Sequence, residues 1–96
     1  MAKVNSEEFH HLFETVLRLE NVAECEAFFD DLCTVKELQD LSQRLAVAGM
    51  LDEKKSYAEI TETTGASTAT ISRVSKALNY GSDGYRLMLD RMKRQA

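Results

Sequence analysis

Several residues of the segment 65–76, GASTATISRVSK, are of types that a solvated helix does not require. Ser67, Thr68, Ala69 and Ser72 are short, and short side chains let a helix backbone approach the floor of a DNA major groove. There a hydroxyl can donate or accept a hydrogen bond, and a methyl can meet a thymine methyl. Arg73 and Lys76 follow one turn later, and Lys54 and Lys55 precede the segment, placed to contact phosphates. A helix N-terminus adds partial positive charge toward the same phosphates. These eight residues form the candidate DNA-binding set. The plainer reading is a helical hairpin of a bundle with solvated Ser and Thr, but an exposed helix rich in those residues gives up propensity without return.

Such residues must be held by two short helices and a tight turn. Ser56-Tyr57-Ala58-Glu59 fits a capping box that opens a helix over 57–64. Gly65 supplies a left-handed turn, and Ser67 can cap a second helix over 68–79. Ile60, Ala66, Ile71 and Val74 then fall between the two helices, with Leu78 continuing the stripe, which is the pattern of a helix-turn-helix. Upstream, Phe9, Leu12, Phe13, Val16 and Leu17 recur at helical spacing, as do Val22, Cys25, Phe28, Phe29 and Leu32. Val35, Leu38, Leu41, Leu45 and Ala48 mark a third helix. Asn21-Val22-Ala23-Glu24 and Thr34-Val35-Lys36-Glu37 are two further capping boxes. The segment 49–55 reads as the end of the third helix and a turn, and Tyr85, Met88, Leu89 and Met92 define a sixth helix. The expectation is an all-α protein of six helices in a single domain over 1–96. Within it, 1–51 would hold dimerisation helices, 56–78 the helix-turn-helix and 82–94 the C-terminal helix.

The net charge of -4 has the same sign as a polyanionic partner, but the charge changes sign along the chain. Residues 1–40 carry three basic and ten acidic side chains, 41–66 three and four, and 67–96 six and two, giving -7, -1 and +4. DNA meets a local surface, so the acidic half can face away from it. No apolar run approaches a membrane span and no signal peptide is evident, so a cytoplasmic location and no membrane partner are expected. Cys25 and Cys33 are expected to stay reduced as small hydrophobes. His10 and His11 diverge by about 100° on a helix, so no metal site is expected. No nucleophile, base and orienting group stand at motif spacing, and Gly-rich phosphate loops are missing, which argues against an enzyme.

The stretch GASTATISR, within 56–78, resembles the turn and second helix of the Trp repressor superfamily, and its YerC/YecD-like branch in particular. Weaker similarity runs back through Thr34-Val35-Lys36-Glu37-Leu38 and Leu41-Ser42-Gln43-Arg44-Leu45. The resemblance implies a six-helix Trp-repressor-like protomer, an intertwined homodimer built by the N-terminal helices, and sequence-specific binding to a palindromic operator. It also implies an effector site in which a corepressor lies between Arg44 and Arg73, with Thr34 beside its carboxylate. Two positions depart from the pattern: Val74 replaces a glycine, and Ala77 replaces a serine near the ligand's amino group. A branched side chain at Val74 fills room that a bound ring would need, which argues against tryptophan. The favoured reading makes Arg44 a partner for acidic groups and Arg73 a DNA contact, with a different small corepressor as the third alternative. No cofactor is expected.

The four phenylalanines at 9, 13, 28 and 29 are a dense aromatic load for two short helices, and a shared interface would cover them. A two-fold dimer would place equivalent reading helices one turn of B-DNA apart, about 34 Å. The expected function is therefore a homodimeric transcriptional regulator, a repressor on double-stranded DNA. The rival is a protein interaction module that docks a partner without specific DNA binding.

Overall fold

Six α-helices fill the computed structural model, which describes residues 6–95. They are α1 (Ser6–Val16), α2 (Val22–Leu32), α3 (Val35–Asp52), α4 (Tyr57–Thr64), α5 (Thr68–Tyr80) and α6 (Gly84–Gln95). The all-α expectation holds, and the helices begin where the cap signals place them. The chain divides into two units, 1–38 and 39–96, with the division falling inside α3.

In the first unit, capping fixes the helix starts. Asn21 Oδ1 accepts the Glu24 N–H at 2.9 Å, as its box requires. The Glu24 carboxylate, however, accepts the N–H of Glu20 at 2.9 Å, reaching one residue beyond the cap. Thr34 forms the complete box: its hydroxyl accepts the Glu37 N–H at 3.1 Å, and Glu37 accepts the Thr34 N–H at 2.8 Å. Neither α1 nor α2 buries a residue. Phe28 and Phe29 meet edge to face with centroids 5.5 Å apart, but Phe13 is 59% exposed and Leu17 82%. Cys25 and Cys33 are free and half-buried.

The second unit has a core. Val47 and Ala48 of α3, Ile60 of α4, Ala66 of the turn, and Ile71 and Val74 of α5 close on one another at no more than 1% exposure, and Leu78 extends the buried stripe. Met50, Leu51, Tyr85 and Leu89 pack around them half-buried. Each fully buried Ile or Val side chain contributes about 1.5–3 kcal/mol relative to exposure.

The segment 49–55 is the end of α3 and a turn, as expected, with the helix running to Asp52. Gly49 lies within α3 and no crowding requires it: a Cβ there would meet Leu89 Cδ2 at 4.0 Å, an ordinary van der Waals contact. The helix ends in a Schellman motif. The Lys55 N–H donates to the Met50 carbonyl and the Lys54 N–H to the Leu51 carbonyl, both at 3.0 Å, with Lys54 left-handed at φ 66. The fifth helix also continues one residue past the expected end, to Tyr80.

Candidate nucleic-acid interface

The α4–α5 pair is assembled from local hydrogen bonds over the shared core. Ser56 opens α4 with both halves of its box: its hydroxyl accepts the Glu59 N–H at 3.1 Å and Glu59 accepts the Ser56 N–H at 3.5 Å. Gly65 closes α4 at φ 74, a left-handed conformation that costs any residue with a Cβ, and donates its N–H to Thr61 at 2.8 Å. The Thr64 hydroxyl donates to the Ile60 carbonyl at 2.7 Å and accepts the Ala66 N–H at 3.1 Å. Gln43 of α3 donates to the Thr64 carbonyl at 3.1 Å, so the turn is tied to the long helix from outside.

Ser67 then caps α5. Its hydroxyl accepts the Thr70 N–H at 3.1 Å and donates to Thr70 Oγ1 at 3.1 Å. Thr70 is thereby turned into the turn and is half-buried. With Ile71, Val74 and Leu78 inward, the exposed side chains over 68–76 are Thr68, Ala69, Ser72, Arg73 and Lys76, like Ser67 before them, and Ala77, Asn79 and Tyr80 are exposed at the end of α5. No acidic residue occurs in α5, so its outer face carries only the positive charge of Arg73 and Lys76. Lys54 and Lys55 are exposed at the end of α3, immediately before the Ser56 cap. The surface offers shallow hydroxyl and methyl groups beside cations, the chemistry that base edges and phosphates require.

The residues singled out for an effector lie apart in kind. Thr34 is exposed and its hydroxyl serves as the α3 cap. Arg44 is half-buried on α3 and Arg73 exposed on α5. Val74 is 1% exposed and belongs to the core of the second unit, so its side chain is enclosed by protein.

One cluster was not foreseen. Asp52, the last residue of α3, accepts from Arg86 Nη1 and from Lys93 Nζ of α6, each at 2.5 Å. The Lys93 hydrogen bond holds the Asp52 carboxyl below its ordinary value, against a desolvation that pushes it up, and Arg86 adds to the lowering. The partners are 34 and 41 residues from Asp52 in sequence, beyond the reach of any local pattern.

These features define an all-α protein whose second unit presents a short, capped, uncluttered helix beside lysines. The family model for the Trp repressor protein matches residues 7–93, and the chain belongs to that family. It falls in the YerC-like branch. The uncharacterized protein YerC of Bacillus subtilis is 54% identical over 91 residues, covering 95% of this chain and 88% of that one. A crystal structure of a candidate Trp repressor from Staphylococcus aureus superposes with a TM-score of 0.87 at 54% identity, over 91% of this chain and 87% of that one. A TrpR-like protein from Eubacterium eligens gives 0.88 at 48% identity, over 91% and 90%.

Proposed function

We propose that this chain is a sequence-specific DNA-binding transcriptional regulator, a repressor that binds a palindromic operator as a homodimer through a helix-turn-helix formed by α4 and α5. The observation that carries the reading is the division of α5 into two faces. Ile71, Val74 and Leu78 are buried, while the outer side chains from Thr68 to Ser72 are short and followed by Arg73 and Lys76. Family membership supports the same reading. The dimer is supported by the first unit, where α1 and α2 bury nothing and Phe9, Phe13, Val22 and, just beyond α1, Leu17 are exposed. Apolar surface of that extent is covered most economically by a second copy.

Band-shift titration on selected oligonucleotides tests the reading. Specific binding should exceed binding to random duplex by at least about a thousandfold. If Lys54, Lys55, Arg73 and Lys76 of both protomers each neutralise one phosphate, the log–log salt slope is about -7. Changing Thr68 and Ser72 together to Glu should abolish the shift while helicity and dimer mass persist. A protein that prefers no duplex by more than a few-fold is a protein interaction module instead. Any effector would be a small corepressor other than tryptophan, on the reading that a branched side chain at Val74 takes up room that a bound ring needs. Calorimetric titration with tryptophan should therefore give no binding heat, and saturable binding would overturn the Val74 argument.

A further inference from the structure

Beyond Leu78, the last buried anchor of α5, Asn79 and Tyr80 are exposed, so apolar packing does not hold the end of that helix. A polar bridge does. Asn79 Nδ2 donates to the Ser75 carbonyl at 2.9 Å and lies 3.4 Å from its hydroxyl, which turns Oδ1 outward to accept from Arg86 Nη2 at 3.3 Å. The other terminal nitrogen of the same guanidinium donates to Asp52. One planar fork therefore spans from the end of α3 to the end of α5, which a lysine ammonium cannot do with fixed geometry.

Asp52 is badly placed for any other purpose. It stands at the C-terminus of α3, the negative end of the helix dipole, and its side chain is only 9% exposed. Arg86 and Lys93, two turns apart on one face of α6, offset that charge. The turn between α5 and α6 needs a glycine at its start, because a Cβ on Gly81 would lie 2.3 Å from the Ala77 carbonyl oxygen.

We propose that Arg86 is a positioning residue for DNA recognition, bridging Asp52 to Asn79 so as to set the angle at which α5 meets the base edges. This rests on α4–α5 being the DNA-reading unit. The lever is long: Thr68 lies eleven residues before Asn79, about 16 Å along the helix axis. A tilt of about 5° then moves Thr68 by about 1.4 Å, enough to break a hydrogen bond.

Arg86→Lys keeps the charge beside Asp52 but loses the fork, and Asn79→Ala removes only its far arm. Each variant is titrated with a selected and a random duplex across a salt series, alongside Tm and dimer mass. Preference for the selected duplex should fall about tenfold in each, the worth of one lost base contact, with random-duplex affinity and salt slope unchanged. The double variant should be no worse than either single one. A lowered Tm with the preference retained would overturn the proposal in favour of a purely structural bridge. A parallel fall on both duplexes with a shallower salt slope would overturn it in favour of a phosphate contact. If Arg86→Lys fails to fold, Asn79→Ala, whose side chain is exposed, decides alone. A wild-type protein that selects no duplex refutes the DNA-reading function, and this inference with it; a selective wild type with equally selective variants refutes only the inference.

Discussion

The two units use similar apolar content in opposite ways. Residues 39–96 bring Val47, Ala48, Ile60, Ala66, Ile71, Val74 and Leu78 to near-zero exposure, whereas the described residues up to 38 bury none despite three phenylalanines on α1 and α2 in clusters suited to packing, Phe9, Phe13 and Phe28, and a fourth at Phe29. A unit with a core can keep a surface helix at fixed geometry. A unit without one holds its apolar side chains available for something outside the chain. The proposed function rests on that difference, with recognition by the second unit and assembly by the first.

The largest effect should come from removing the core that sets the units apart. Ile71→Ala should cost about 2–5 kcal/mol in denaturant unfolding, transfer and cavity together. A loss below about 1 kcal/mol would mean that the second unit is not held by this cluster. Phe13→Glu addresses the other side of the comparison. It should weaken self-association by about 2 kcal/mol or more, roughly thirtyfold, seen as a shift toward monomer in sedimentation. An unchanged mass at low micromolar concentration would remove α1 from the proposed interface.

Two left-handed positions sharpen the comparison at smaller amplitude. Gly65→Ala should lower stability by about 1–2 kcal/mol, since nothing crowds its Cβ and only the backbone conformation objects. Lys54 occupies the same region at φ 66 where glycine would be easier. Lys54→Gly should therefore raise stability by up to about 1 kcal/mol. It should also weaken operator binding and flatten the salt slope by about one per protomer. Stabilisation with unchanged binding would take Lys54 out of the phosphate set.

The smallest effect is expected at acid pH. Because the folded Asp52 carboxyl sits below 3.8, its contribution is present above that value and is lost as pH falls through the lower, folded one. Lys93, raised above 10.5 by the same contact, contributes below that value and loses its share only in stronger alkali. Acid unfolding of Asp52→Asn should lack this added steepness, and identical curves for both proteins would leave Asp52 without a stabilising role.

Much of this was legible locally. Caps, glycine and 3.6-residue periodicity act within a few residues, so the boxes at Thr34 and Ser56, the turn at Gly65 and the inward set from Ile60 to Leu78 could be read without coordinates. Val47 gave no separate signal within the apolar run 45–51. The Asp52–Arg86–Asn79 bridge was invisible because it exists only once three helices have met. Lys54 was singled out for its charge, but its left-handed backbone follows from the helix end, where glycine is the usual sign.

The separation of faces on α5 also bears on how such a protein can change. Ile71, Val74 and Leu78 maintain the fold, and Thr68, Ala69, Ser72, Arg73 and Lys76 touch none of that duty. The outer positions can therefore be rewritten, by drift or in a designed library, at little cost to folding, so that new target preferences can be explored on an unaltered scaffold.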